Sequence, residues 1–187
     1  LRTNVRLSSE RIAPGDAILV NGRIAEHGLA VMSVRSGIEF ASKLRSDVAP
    51  LNGLISCLLD SGADVKFLRD ATRGGLAGVL ADISESRNLT VEIDESRGPL
   101  SATARHAAEM LGLDPLTVAN EGKIVIVVAQ KDTARALDVC RGHPLGKHAA
   151  VIGRLTERQP ALVELVTRVG GRRIVQRPYG EELPRIC

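Results

Sequence analysis

"KIVIVVAQ", residues 123–130, is the stretch on which the fold turns. Its residues 124–128 are uninterrupted isoleucine and valine. A strand with one wet face alternates apolar and polar side chains, whereas a strand buried on both faces reads as a continuous β-branched run. The segment therefore predicts a central strand with a layer packed on each side. Upstream, residues 17–20 form a short strand between turns at Pro14-Gly15-Asp16 and Asn21-Gly22, and residues 29–35 open a helix. Leu54, Ile55, Leu58 and Leu59 make the apolar stripe of a second helix, closed by Gly62. Residues 65–69 alternate as a strand, 76–86 show the helical spacing Leu76, Val79, Leu80, Ile83, and 90–93 return to strand. Ser101 is placed to cap a helix through 111 that Gly112 and Pro115 stop. Downstream, 131–142 is a short helix, and 148–155 and 161–166 are strands, the second ending at Gly170-Gly171. This alternation predicts an α/β sandwich. Residues 175–187, "VQRPYGEELPRIC", have no periodicity and read as a tail.

Composition narrows the function classes. A 44% hydrophobic, 25% charged chain of 187 residues is long enough for a core without staples. With no Trp, Tyr179 alone and only Phe40 and Phe67, that core must come from Ala, Val, Leu and Ile. The same scarcity argues against binding single-stranded nucleic acid, which uses aromatic stacking platforms. The net charge is +3, with a late cluster of Arg168, Arg172, Arg173, Arg177 and Arg185. That cluster is either a solvated basic surface or a patch that meets an anion such as a nucleotide. Cys57, Cys140 and Cys187 are widely spaced and form no CxxC pair, which fits a reducing, cytoplasmic setting and excludes a disulfide framework. Cys57 and Cys140 read as packing residues. No apolar run approaches the roughly 20 residues that span a bilayer, and no signal-peptide pattern opens the chain. The first residue is Leu1, so the chain reads as processed or as a fragment.

Three places carry candidate chemistry. In "LRDATRGGLAGVL", Asp70, Thr72, Arg73, Gly74 and Gly75 lie between a strand and a helix. Glycines there let a backbone approach a ligand and leave helix N-terminal N–H groups for a phosphate. The alternative is a helix capped by Asp70 or Thr72. In "VANEGKIVIVV", Asn120 and Glu121 stand at the mouth of the buried strand. A carboxylate so placed is partly desolvated and shifted toward the general-base range; the alternative is an Asn-Gly turn. In "GRIAEHG", His27 is a proton carrier, a ligand or a solvated loop histidine. The chain also ends on Cys187, a reactive thiol at a position that is usually mobile.

Taken together, "GDAILVNGRIAEHG", "SDVAPLNGLI", "LRDATRGGLA", "LGLDPLTVANEGK" and the terminal "PRIC" resemble the HypE family of hydrogenase maturation proteins. That family belongs to the superfamily of aminoimidazole ribonucleotide synthetase and selenophosphate synthetase. The resemblance runs from about Gly15 to Cys187, and "PRIC" discriminates most. It implies a mixed sheet flanked by helices, with a flexible C-terminal tail. It also implies an ATP-dependent carbamoyl dehydratase. Cys187 would accept a carbamoyl group from HypF, ATP would activate the carboxamide oxygen, and the resulting thiocyanate would give cyanide to iron on HypC–HypD. Glu121 matches the family's candidate base. Asp70, Thr72, Arg73, Gly74, Gly75 and Asn120 match segments that line the cleft or contact phosphate, and His27 matches an "HG" loop with no assigned role.

Family members carry an N-terminal half of similar size, with the main ATP-binding strands, acidic Mg2+ ligands and much of a homodimer interface. Residues 1–14 are then the remnant of an interdomain linker, 15–174 the C-terminal domain and 175–187 the tail. No metal site is expected in this chain, and alone it is expected to be inactive with ATP. Two other functions stay open: a small-molecule ATP-dependent synthetase of the same superfamily, and a non-catalytic interaction domain whose tail is a docking peptide.

Overall fold

The computed structural model describes residues 5–37 and 44–178. Cys187, Tyr179, Arg185 and Phe40 lie outside them. Seven strands form one mixed sheet: β1 (Ala17–Val20), β2 (Val65–Asp70), β3 (Thr90–Asp94), β4 (Ile124–Val128), β5 (Ala150–Thr156), β6 (Val163–Val166) and β7 (Arg172–Ile174). Their spatial order is β2-β4-β1-β5-β3-β6-β7. All pairs are antiparallel except β3 with β6. β4 lies between β1 and β2, and each of its five residues is buried.

The two-sided burial of β4 is visible residue by residue. Val125 and Val127 join Ile18, Val20 and Ile152 in a core closed by Leu76, Val79, Leu80 and Ile83 of α3 (Gly75–Arg87). Ile126 and Val128 turn the other way, with Leu19, toward Leu54 and Leu58 of α2 (Asn52–Asp60) and Ala136 of α5 (Thr133–Gly142). A third, smaller core joins α1 (Glu26–Ser36) to α4 (Ala102–Leu111) through Leu29, Ala104, Ala107, Ala108 and Val118. With alanine as the contact residue, those two helices approach closely without an aromatic between them. The α4 cap is as expected: the Ser101 hydroxyl accepts from Ala104 N–H at 3.1 Å, and Gly112 ends the helix at φ +67°.

Four features differ from the sequence reading. β7 carries no sequence signal because its three residues are all exposed and it pairs only with β6 at the sheet edge, so no apolar pattern marks it. α1 begins at Glu26, ahead of the first periodic residue. Val175, expected in the tail, is 4% exposed in the core and donates its N–H to Val163 O at 2.8 Å. Cys57 is exposed on α2 instead of packed. Cys140 does pack: it is buried, and burial pushes its thiol up to about 11. The late arginines are largely spent within the molecule. Arg172 reaches Glu92 and Glu164 at 2.8 Å, Arg173 reaches Asp114 at 2.7 Å, and Arg177 pairs with Asp82 and Glu85 of α3. The Arg172 guanidinium, with Arg154, holds the Glu92 carboxyl below its ordinary value. No helix among the described residues is long and apolar enough to cross a membrane.

Candidate functional site

The loop from Leu113 to Lys123, which joins α4 to β4, crosses one end of the sheet where the first turns of α1 and α3 converge. Its centre is Asn120, 1% exposed. The Asn120 side-chain oxygen accepts from Ala25 N–H at 2.7 Å, ahead of α1. Its amide donates to Ala71 O at 3.1 Å, beyond β2, and to Val118 O at 2.9 Å. Expected as a cleft contact, Asn120 instead has its amide spent on three backbone groups, and it pins the loop to two distant elements. Asn21, read as a turn residue, does the same on the far side of Glu121. It is fully buried, accepts from Ile124 N–H at 2.8 Å and donates to Gly122 O at 3.2 Å.

The glycine-rich turn serves the same loop. A Cβ on Gly75 would stand 2.6 Å from the carbonyl oxygens of Leu116 and Val118, and one on Gly28 would stand 2.8 Å from Ala119 O. Contacts that close exclude any side chain, so these glycines admit the protein's own backbone. The donors at the start of α3 are engaged as well: Ala77 N–H bonds Leu116 O at 2.8 Å and Gly75 N–H bonds Thr72 O at 3.3 Å. The expected row of unpaired N–H groups for a phosphate is therefore largely closed by the protein itself. Gly74, at φ +70°, caps the helix without a side chain, which glycine permits at little cost.

The structure brings Asp70, Thr72 and Glu121 to one end of the sheet. Asp70 stands opposite Ile124 in the β2–β4 ladder, and Ala71 N–H bonds Lys123 O at 3.1 Å. Thr72 donates its hydroxyl proton to the Asp70 carboxylate, and Arg73 is exposed beside them. Glu121 is half-buried, and no ion pair among the described residues claims its carboxylate. His27 lies across the loop on the first turn of α1, where its Nδ1 meets Ser46 Oγ at 2.8 Å. Its Nε2 is buried with no hydrogen-bond partner among the described residues. Cys187 lies outside the described residues. The last described residue, Pro178, packs its Cγ 3.6 Å from the position a Cβ on Gly74 would take.

Two features of the site were not legible. Asp47, of the "SDVAPL" stretch, pairs with Lys123, and both side chains are largely buried. Beside them is a recess of about 360 Å³ lined by Arg23, Glu26, Asp47, Gly122, Lys123 and His148, among others. Sequence separation hides such pairs, and only the family motif drew attention to residues 46–51. Among the described residues, no three His, Cys, Asp or Glu side chains converge to hold a metal.

Asn120→Ala tests the pin. It leaves Ala25 N–H and Val118 O short of a buried partner, while Ala71 O keeps the Asn120 backbone N–H, and the expected loss is about 1–3 kcal/mol by urea unfolding. A loss below about 0.5 kcal/mol, the range of neutral surface changes, would contradict it.

A mixed sheet with helices on both faces and a pinned loop at one end defines a class: residues 13–164 match the family model described as AIR synthase related protein, C-terminal domain. The carbamoyl dehydratase HypE of Cupriavidus necator is 45% identical over 174 residues, covering 93% of this chain and 50% of that protein. A crystal structure of a HypE–HypF complex matches with TM-score 0.90 and 42% identity over 95% of this chain and 58% of the other. One of HypE in complex with ATP matches with TM-score 0.90 and 38% identity over 97% and 55%. The chain belongs to the HypE family of hydrogenase maturation proteins, as a C-terminal domain of the AIR synthase type. It spans about half the length of the curated relatives it matches.

Proposed function

We propose that this domain works within an ATP-dependent carbamoyl dehydratase that carries its substrate on Cys187 and supplies cyanide for hydrogenase iron. The observation that carries the reading is Glu121: a carboxylate unclaimed by any ion pair among the described residues, on a loop held by two buried amides. Such a mount fixes a general base without neutralising it. The HypE relatives named carbamoyl dehydratase, and the HypE structures with HypF and with ATP, supply the chemical context.

In this reading the Cys187 thiolate takes a carbamoyl group from HypF. The carboxamide oxygen then attacks the terminal phosphorus of ATP, ADP departs, and Glu121 removes one proton from the carboxamide nitrogen. The oxygen leaves as phosphate, taking the second N–H proton with it, and the carbon–nitrogen triple bond of a thiocyanate remains. HypC–HypD accepts the cyano group. Asp70, Thr72 and Arg73 line the cleft. Arg73 is the one cation among them and suits a phosphate. From Pro178 to Cys187, nine extended residues reach roughly 30 Å, enough to bring the thiol from Gly74 to the Glu121 loop. A thiol carrier must stay reduced, which places the reaction in the cytoplasm. The main ATP and Mg2+ sites and the homodimer interface belong to an N-terminal half.

The 187-residue chain on its own, loaded with a carbamoyl group at Cys187, is then expected to release no phosphate from ATP above background, whereas the full-length protein turns over. Turnover by the isolated chain comparable with that of the full-length protein would refute the division of labour.

A further inference from the structure

We infer that Asp47 is a positioning residue for the reaction: by holding the Lys123 ammonium, it keeps Glu121, two residues earlier on the same loop, free to act as a base. The inference rests on the reading of Glu121 given above. Lys123 is 8% exposed, an unusual place for an ammonium. Its stem crosses Gly22, where a Cβ would meet Lys123 Cε at 3.1 Å. Its Nζ stands 3.4 Å from Gly122 O, the carbonyl next to Glu121, and it forms an ion pair with Asp47.

Asp47 is held in place from both sides. Ser46 is bonded to His27 Nδ1 at 2.8 Å, and Val48 N–H donates to the Ser46 hydroxyl at 3.3 Å. Gly122, at φ +68°, lies so close that a Cβ there would be 2.6 Å from Asp47 O and 2.9 Å from Ala49 N. Both Asp47 carboxylate oxygens are buried without a hydrogen bond among the described residues, and the Lys123 ammonium beside one of them is their one charged partner there.

The other charged and titratable groups around this end include one further carboxylate in the recess beside Lys123, that of Glu26. Arg23 and Glu26, at the start of α1, face each other at 4.0 Å. Lys147 and His148 are exposed at the far wall of the recess, and Asp70 and Arg73 are exposed at the end of β2. His27 is committed to Ser46 through Nδ1. If the Asp47 charge is lost, a nearly buried ammonium is left without its counter-ion, and Glu121, on the other side of Gly122, is the nearest carboxylate along the chain. A Lys–Glu pair favours the ionised carboxylate, lowers its proton affinity and makes it a poorer base.

The experiment uses the full-length protein, loaded by HypF at Cys187, with single-turnover conversion of carbamoyl to thiocyanate followed against pH. Asp47→Asn is expected to load at the wild-type rate, to dehydrate about tenfold more slowly, and to shift the acid limb of the rate profile to lower pH. Removing the cation as well, in Asp47→Asn/Lys123→Met, is expected to restore both rate and profile. Wild-type behaviour of Asp47→Asn, or a double variant as slow as the single one, would overturn the inference. If Asp47→Asn fails to fold, the double variant decides, because a slow, folded double variant overturns it. Glu121→Gln run in parallel separates the two readings. A wild-type rate there removes the base and this inference together, whereas a slow Glu121→Gln beside a wild-type Asp47→Asn removes the inference alone.

Discussion

Cys187→Ser in the full-length protein is expected to abolish carbamoyl loading altogether, with no adduct at the C-terminal peptide and no thiocyanate. The reason is nucleophilicity. A cysteine with an ordinary pKa near 8.5 is a few per cent thiolate at neutral pH, whereas a serine hydroxyl without an adjacent base is not ionised at all. The substitution exchanges one sulfur atom for oxygen at the end of the chain, so the domain should fold as before and ATP should still bind. The experiment also separates the alternatives. A small-molecule synthetase would keep its activity without the thiol. An interaction domain would keep its partners, and no modified thiol would ever appear in the unaltered protein.

Glu121→Gln is expected to stop the reaction one step later. Loading by HypF should proceed, and the carbamoyl adduct should accumulate with a dehydration rate about 10²–10⁴-fold lower, the usual contribution of a positioned base. Because no ion pair among the described residues claims Glu121, the neutral isostere leaves no charge unpaired, and the unfolding free energy should stay within about 0.5 kcal/mol of its original value. Loss of rate together with a large loss of stability would make Glu121 a structural residue and send the search for the base to the N-terminal half.

What the sequence made legible follows the range of the forces involved. The β4 run was readable because burial on both faces leaves only apolar residues, a purely local signal. The α2, α3 and α4 helices were readable from apolar spacing and, for α4, the Ser101 cap. β7 was not, because an Arg-Arg-Ile edge strand is held by the ladder to β6 and by ion pairs to Glu92, Glu164 and Asp114. The glycine-rich turn shows the limit most clearly. Gly75 does report a close backbone approach, but only the fold reveals that the approaching backbone is residues 116–118 and not a ligand. Asn120 and Glu121 were singled out side by side, yet the amide turned out to belong to the scaffold. Its partners Ala25 and Ala71 are far away in sequence. The Asp47–Lys123 pair is hidden for the same reason.

The central claim is that the chemistry takes place on the terminal thiol. The most direct test is intact-mass analysis of the full-length protein after incubation with HypF, carbamoyl phosphate and ATP, with the adduct mapped to the C-terminal peptide. The account predicts a carbamoyl adduct on Cys187 that loses the mass of one water only when ATP is present. An unmodified Cys187, under conditions in which the same HypF loads another HypE, would contradict it.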